Sequence, residues 1–181
     1  MHGSDVEELN LDFRYSQIDY ILPHAVLCAK SLTALTLHEC KLESTTCCGD
    51  INLPSLKKLS LTFVYVDDQV FQNLVSGCPV IEDMKFGNCR GIKSMKFFGL
   101  PKVMAITVTQ NDGLERLELA LEASNLYYLC IDQGLSPELL SNAWNFICTL
   151  EIVFIRGLFF SCNIIYWLEF LRVELVYLRY V

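Results

Sequence analysis

The sequence has few basic residues. Lys and Arg total 14 of the 181 residues against 21 Asp and Glu, giving a formal net charge of −7. Proteins that bind nucleic acid usually present a basic stripe that neutralises phosphate. The lysines at 57–58 and 93–96 are too sparse to form such a stripe. We therefore expect no nucleic-acid partner.

Sequence motifs for catalysis and for metal binding are missing as well. The chain has no G-x-S-x-G, no P-loop, no H-E-x-x-H and no G-x-G-x-x-G pattern. It has no C-x-x-C pair among its nine cysteines, and its three histidines are scattered. These absences predict a protein that is not an enzyme and that has no cofactor and no metal site.

The chain also has no apolar leader at its start and no hydrophobic run long enough for a membrane span. Met1 is followed by an acidic stretch, and the longest charge-free run of the apolar tail, residues 157–168, has twelve residues. A spanning helix needs about 20. A chain of this length does not need disulfides, so nine cysteines favour free thiols in a reducing compartment. We expect a cytoplasmic or nuclear protein, or both, without a membrane span.

What the sequence does contain is a repeat of the form apolar–x–x–apolar–x–apolar. Its middle positions recur every 22 to 26 residues. They are Leu9, Leu35, Leu59, Met84, Ile106, Leu129 and Val153. The last two apolar positions of each unit alternate, so they share one face of a short strand. One strand cannot bury that face alone, whereas a parallel stack of repeats can.

This repeat predicts an α/β fold, a short leucine-rich-repeat solenoid over residues 1–156. Parallel strands would form the concave face, and helices and extended segments the convex face. Asp67 is a typical N-terminal cap of a helix and Gly77 a typical residue to end one, and Pro23 and Pro137 mark two further helical starts. Copies of the repeat at Met95 and Leu117 predict extended links instead. Residues 157–181 would form an apolar segment that caps the stack, with a helix favoured over further strands.

Two cysteines follow the strands at a fixed distance. Cys40 lies five residues after Leu35, and Cys89 lies five residues after Met84. Leucine-rich repeats place Asn or Cys at this position to hold the turn after the strand. We interpret both as buried, inert thiols.

The repeats resemble those of plant F-box/LRR proteins. The most specific piece is NLVSGCPVIEDMKFGNC at Asn73–Cys89, and LPSLKKLSL at Leu53–Leu61 is also typical. The resemblance covers about Val6–Asp132. It implies a protein-binding module like the substrate-recognition region of F-box ubiquitin-ligase receptors, in which an F-box docks on a Skp-type adaptor.

No F-box-like pattern precedes Val6. We therefore expect a Skp-type adaptor as a partner only if an F-box lies upstream. Two alternatives stay open at this point. The chain is a truncated paralogue or gene-model fragment with a structural role or none, or its apolar tail associates with membranes.

The side chains that flank the buried positions of each strand should point outward and line the concave face, where we expect an unknown target protein to bind. The candidate binding residues are His38, Lys58, Lys85, Tyr128, Asp132, Phe154 and Arg156. Aromatic and Arg residues dominate interface energies, so Tyr128, Phe154 and Arg156 are the expected hot spot. The alternative is that these three pack under the C-terminal segment.

Overall fold

The computed structural model describes residues 6–15, 20–43, 51–120, 126, 128–132 and 152–156, with the description confined to the backbone at 119–120, 132 and 152–156. The elements in chain order are β1 (Glu8–Asp12), a 3-10 helix (His24–Cys28), β2 (Ala34–His38), β3 (Lys41–Leu42), β4 (Lys58–Thr62), β5 (Tyr65–Val66), α1 (Asp68–Ser76), β6 (Asp83–Gly87), β7 (Ser94–Phe98), β8 (Ala105–Thr109), β9 (Arg116–Ala120), β10 (Tyr128–Asp132) and β11 (Ile152–Arg156).

Seven of these strands form one parallel sheet in the order β1-β2-β4-β6-β8-β10-β11. Every neighbouring pair is in the same register, so Leu35 lies opposite Leu59 and Leu59 opposite Met84. The inward side chains of the inner strands β2 to β10 are 0–1% exposed. The predicted α/β leucine-rich-repeat fold is therefore confirmed, and the anchors of the repeat stack in two continuous rows.

The link between β4 and β6 is the predicted helix. Asp67 caps α1 by accepting a hydrogen bond from the Val70 amide at 2.8 Å, and the helix ends before Gly77. Its buried side chains include Phe71, whose ring packs edge-on against Phe86 and Phe97 with centroids 5.2 and 5.6 Å away. This aromatic cluster fills the interior between the helix and the strands.

The next two links are extended, as predicted. Strands β7 and β9 pair in parallel with Met95 opposite Leu117, both buried. Within this small sheet, the Lys93 carbonyl accepts hydrogen bonds from the amides of Glu115 and Arg116. On the other side of β7, a carboxylate oxygen of Asp68 accepts from the amides of Lys93 and Ser94 at 2.7 and 2.9 Å. The side chain of Asp68, the first residue of α1, thus serves as the hydrogen-bond acceptor that a backbone carbonyl of a neighbouring strand would otherwise provide.

The first helical link is short. Pro23 precedes the 3-10 helix His24–Cys28, in agreement with the helical start predicted there. The start at Pro137 and the apolar segment 157–181 lie outside the described residues, so the division at residue 156 stays a prediction. Of the helices within the described ranges, none combines the length and the apolar character needed to cross a membrane.

After each of the strands β2, β4, β6 and β8 the chain turns through a residue in the left-handed region. Glu39, Phe63, Asn88 and Gln110 have φ values of 49 to 55° and occupy equivalent positions. The amides of the first three extend the main sheet by donating to the carbonyl of the neighbouring repeat at 2.9–3.1 Å. This shared turn keeps the repeats in register where their side chains differ.

The next position of the turn holds Cys40, Val64, Cys89 and Asn111, all buried. Burial raises the pKa of Cys40 to about 11 and that of Cys89 to about 12, which keeps both thiols protonated at neutral pH. The Asn111 side chain accepts a hydrogen bond from the Cys89 amide at 2.8 Å and donates to the Phe86 carbonyl at 3.2 Å. One amide side chain therefore satisfies two buried backbone groups of the preceding repeat.

Replacing Asn111 with Ala should destabilise the protein by about 2–4 kcal/mol, because it leaves a buried N–H and a buried C=O without this partner. Chemical denaturation measures the change. Asn52→Ala is the control, since Asn52 is exposed and should change stability by less than about 0.5 kcal/mol. Equal effects of the two substitutions would contradict the role of Asn111.

Gly77 is required by close packing. A Cβ atom there would overlap the carbonyl oxygen of Ile51, although the backbone has an ordinary φ of −77°. We predict that Gly77→Ala destabilises the protein by about 3 kcal/mol, as overpacking does. Gly113→Ala is the matched control, because Gly113 has open space around it but a φ of +77° and should lose only about 1 kcal/mol. Thermal unfolding of both variants tests this, and a larger loss at Gly113 would contradict it.

Candidate functional site

Alternate positions along the strands of the main sheet form three rows across the sheet, and the side chains at these positions on β1, β2, β4, β6 and β8 point outward. The first row is Glu8, Ala34, Lys58, Asp83, Ala105, Tyr128 and Ile152. The second is Asn10, Thr36, Ser60, Lys85, Thr107, Cys130 and Phe154. The third is Asp12, His38, Thr62, Gly87, Thr109, Asp132 and Arg156. We call this surface the concave face.

Small residues form the floor of the concave face. Ser60 and Thr107 lie on either side of Lys85, and Gly87 lies between Thr62 and Thr109. A Cβ atom on Gly87 would come within 3.1 Å of the Thr109 hydroxyl oxygen, so the third row is tightly packed at this point. The floor therefore presents hydroxyl groups and backbone atoms to a partner protein, and the long side chains of the face project beyond it.

The β1 end of the concave face is acidic, and the arginine that follows β1 is already hydrogen-bonded to a carboxylate. Arg14 makes three side-chain hydrogen bonds to the Asp12 carboxylate, with lengths of 2.6 to 3.0 Å. These bonds lower the pKa of Asp12 to about 2, so the carboxylate is ionised at any physiological pH. Glu8, at the other end of β1, is also exposed.

His38 lies against this end of the face. Its Nδ1 atom is 3.9 Å from Asp12 Oδ1 and is buried without a hydrogen-bond partner among the described residues. The imidazole packs at a tilt on the Phe63 ring, with the centroids 5.4 Å apart, and Phe63 itself is 41% exposed. His38 is thus packed by an aromatic ring at the rim of the face.

Two lysines and one aspartate occupy the centre of the face. Lys58 and Lys85 are both exposed, and Asp83 lies opposite Lys58 on the neighbouring strand. The Lys85 ammonium is 3.6 Å from Asp83 Oδ2, while Asp83 Oδ1 is buried without a hydrogen-bond partner among the described residues. The three side chains together carry a net charge of +1.

Tyr128 continues the first row on β10. Its side chain is partly buried, and burial raises the pKa of its phenol, with Cys130 and the Asp83 carboxylate acting in the same direction. The phenol therefore stays protonated at neutral pH.

The structure brings four of the predicted residues, His38, Lys58, Lys85 and Tyr128, onto one face. The remaining three, Asp132, Phe154 and Arg156, occupy the corresponding strand positions of β10 and β11, and their side chains lie outside the described part of the chain. The hot spot at Tyr128, Phe154 and Arg156 therefore stays a prediction.

Sequence reasoning missed two polar contributions. Asn111 stands five residues after Ile106, at the same spacing that identified Cys40 and Cys89, and this spacing could have revealed it. The hydrogen-bonded ion pair between Arg14 and Asp12 joins residues that are two positions apart, and no position of the repeat predicts it. Within the described residues, no group of three or more His, Cys, Asp or Glu side chains is arranged to hold a metal ion.

Comparisons with known proteins agree with this architecture. The family model described as "FBD-associated F-box protein At5g56370, LRR repeats" matches residues 2–134. The chain is 31% identical over 147 residues to the F-box/FBD/LRR-repeat protein At3g52680 of Arabidopsis thaliana, an alignment that covers 76% of this chain and 31% of that protein. It is 30% identical over 122 residues to the FBD-associated F-box protein At4g13985 of the same plant, covering 66% of this chain and 26% of that protein.

The chain thus spans less than a third of the length of these curated relatives. No solved structure matches it significantly. The family match extends over most of the solenoid described above, from β1 through β10. By its leucine-rich-repeat region, this chain belongs to the plant F-box/LRR family.

Proposed function

We propose that this chain is a protein-binding module whose concave face recognises a partner protein and that it performs no catalysis. The observation that carries this proposal is the face itself, three rows of strand positions that share a single register across a seven-stranded sheet. At about 4.8 Å per strand, the rows extend for about 29 Å. Small-molecule sites are usually enclosed cavities, so an open surface of this length suits a protein or peptide better.

The family supports a more specific role. The relatives are named as F-box proteins, and we propose that the concave face serves as the target-recognition region of a ubiquitin-ligase receptor. A Skp-type adaptor would then bind an F-box outside these 181 residues, and the target would bind the repeats. Such a receptor would act in the cytoplasm or nucleus, where free cysteines such as the buried Cys40, Cys78 and Cys89 persist.

A steric block on the concave face should abolish partner binding. Ser60 lies in the middle row of the face, whereas Ser76 is exposed at the end of α1 on the opposite wall of the solenoid. We expect a Ser60→Tyr variant to lose proteins that the wild-type chain captures from plant extract. A Ser76→Tyr variant should retain them.

The measurement is affinity capture with quantitative mass spectrometry, and circular dichroism checks that both variants fold. Proteins that are lost equally from both variants, or retained equally by both, would contradict binding at the concave face.

Binding of a Skp-type adaptor should depend on an F-box and not on the repeats. Co-purification with a Skp-type adaptor should fail for the 181-residue chain alone and succeed when an F-box is fused ahead of Val6. The two proteins differ only in the fused segment, so the repeats serve as their own control. Binding of the adaptor to the unfused chain would contradict the proposed division of roles.

A further inference from the structure

We propose that the centre of the concave face binds a carboxylate side chain of the partner protein through Lys85 and Lys58. This inference rests on the proposed function and adds the chemistry of the residue that is recognised. It starts from where the cations of the face lie and from which of them are accessible.

Lys58 and Lys85 are the only Lys or Arg residues at outward positions of the described strands β1, β2, β4, β6 and β8. They stand on the neighbouring strands β4 and β6, and both side chains are exposed. The protein as a whole carries a net charge of −7. Two exposed lysines at the centre of the concave face therefore have the opposite sign to the overall charge, and they mark the position where an anionic group is favoured.

The floor around Lys85 is suited to a carboxylate. Its neighbours in the row, Ser60 and Thr107, have short side chains that cannot cover the ammonium group. Each hydroxyl can donate one hydrogen bond. A carboxylate has about four acceptor positions, so it can accept from Lys85 and from a floor hydroxyl at the same time.

Asp83 does not cancel this site. One of its oxygens is 3.6 Å from the Lys85 ammonium, and the other is buried beneath the surface. The Asp83 carboxylate therefore offsets the charge of one lysine, while Lys58 on the adjacent strand leaves the local charge at +1. An incoming carboxylate approaches from the solvent, to which both lysine residues are exposed.

The β1 end of the face offers no comparable site. Arg14 is already bound by the Asp12 carboxylate through three side-chain hydrogen bonds, and Glu8 is exposed at the other end of β1. An acidic residue of the partner is therefore repelled from β1 and attracted to β4 and β6. This asymmetry sets which part of a bound peptide lies over the centre.

Selection of random 12-residue peptides displayed on phage, with the full chain as bait, tests the inference. We expect the selected peptides to share an Asp or Glu. The strongest binder is then synthesised twice, once as selected and once with that acid replaced by its amide, and affinities are measured by calorimetry. Lys85→Met removes the proposed cation, and Lys93→Met, which changes an exposed lysine just before β7, is the matched control.

For the wild-type chain and for Lys93→Met, the amide peptide should bind about tenfold more weakly than the acid peptide, as expected for a charge pair at an interface. For Lys85→Met the difference should fall below about twofold. Asp83→Asn should bind the acid peptide several-fold more tightly than the wild type, because the local charge rises from +1 to +2.

Two results would overturn the inference, and they have different consequences for the proposed function. If the Ser60→Tyr variant blocks the selected peptides but acid and amide peptides bind equally well, the face binds protein without recognising a carboxylate, and only the inference fails. If Ser60→Tyr binds the selected peptides as well as the wild type does, the concave face is not the binding surface and both proposals fail.

Discussion

The stacking of buried anchors in register is the constraint on which the rest of the structure depends. A five-residue strand such as β4 has too little surface to form a core by itself. Leu59 is buried because Leu35 and Met84 lie beside it on the neighbouring strands. Leu61 is buried in the same way by the anchors opposite it on those strands. Side chains of a strand alternate between its faces. A slip of one residue would therefore turn Ser60 inward and expose the anchors. The identity of every residue on the concave face follows from this register.

Backbone hydrogen bonding has to be completed where the repeats differ, and the protein does this with individual side chains. Asn111 satisfies two backbone groups of the β6 turn. Asp68 supplies the acceptor that β7 lacks on its helical side, where α1 takes the place of a strand. With these side chains, one solenoid combines a helical link with extended links while the amides of Cys89, Lys93 and Ser94 keep their acceptors.

The spacing of the apolar residues was enough to predict the seven strands of the main sheet, their parallel stacking and the extended links around Met95 and Leu117, although it gave no sign of the short strands β3 and β5. The helix after Asp67 was predicted with the help of the capping residues Asp67 and Gly77. The spacing also placed Lys58 and Lys85 on one face, since alternation along a strand decides which side chains point outward. The contacts made by these side chains could not be predicted in the same way. The ion pair between Asp83 and Lys85, and the capping of β7 by Asp68, depend on side-chain conformations and on the distance between elements, which periodicity does not encode.

Methyl NMR of the selectively labelled chain tests the stacking most directly. In the structure, Leu35, Leu59, Met84 and Ile106 follow one another across adjacent strands, about 4.8 Å apart at each step. The account predicts NOE contacts between the methyl groups of each successive pair and none between Leu35 and Ile106, which lie about 14 Å apart across three steps. Strong contacts between Leu35 and Ile106, or none between Leu59 and Met84, would contradict the stacked rows and the concave face that they position.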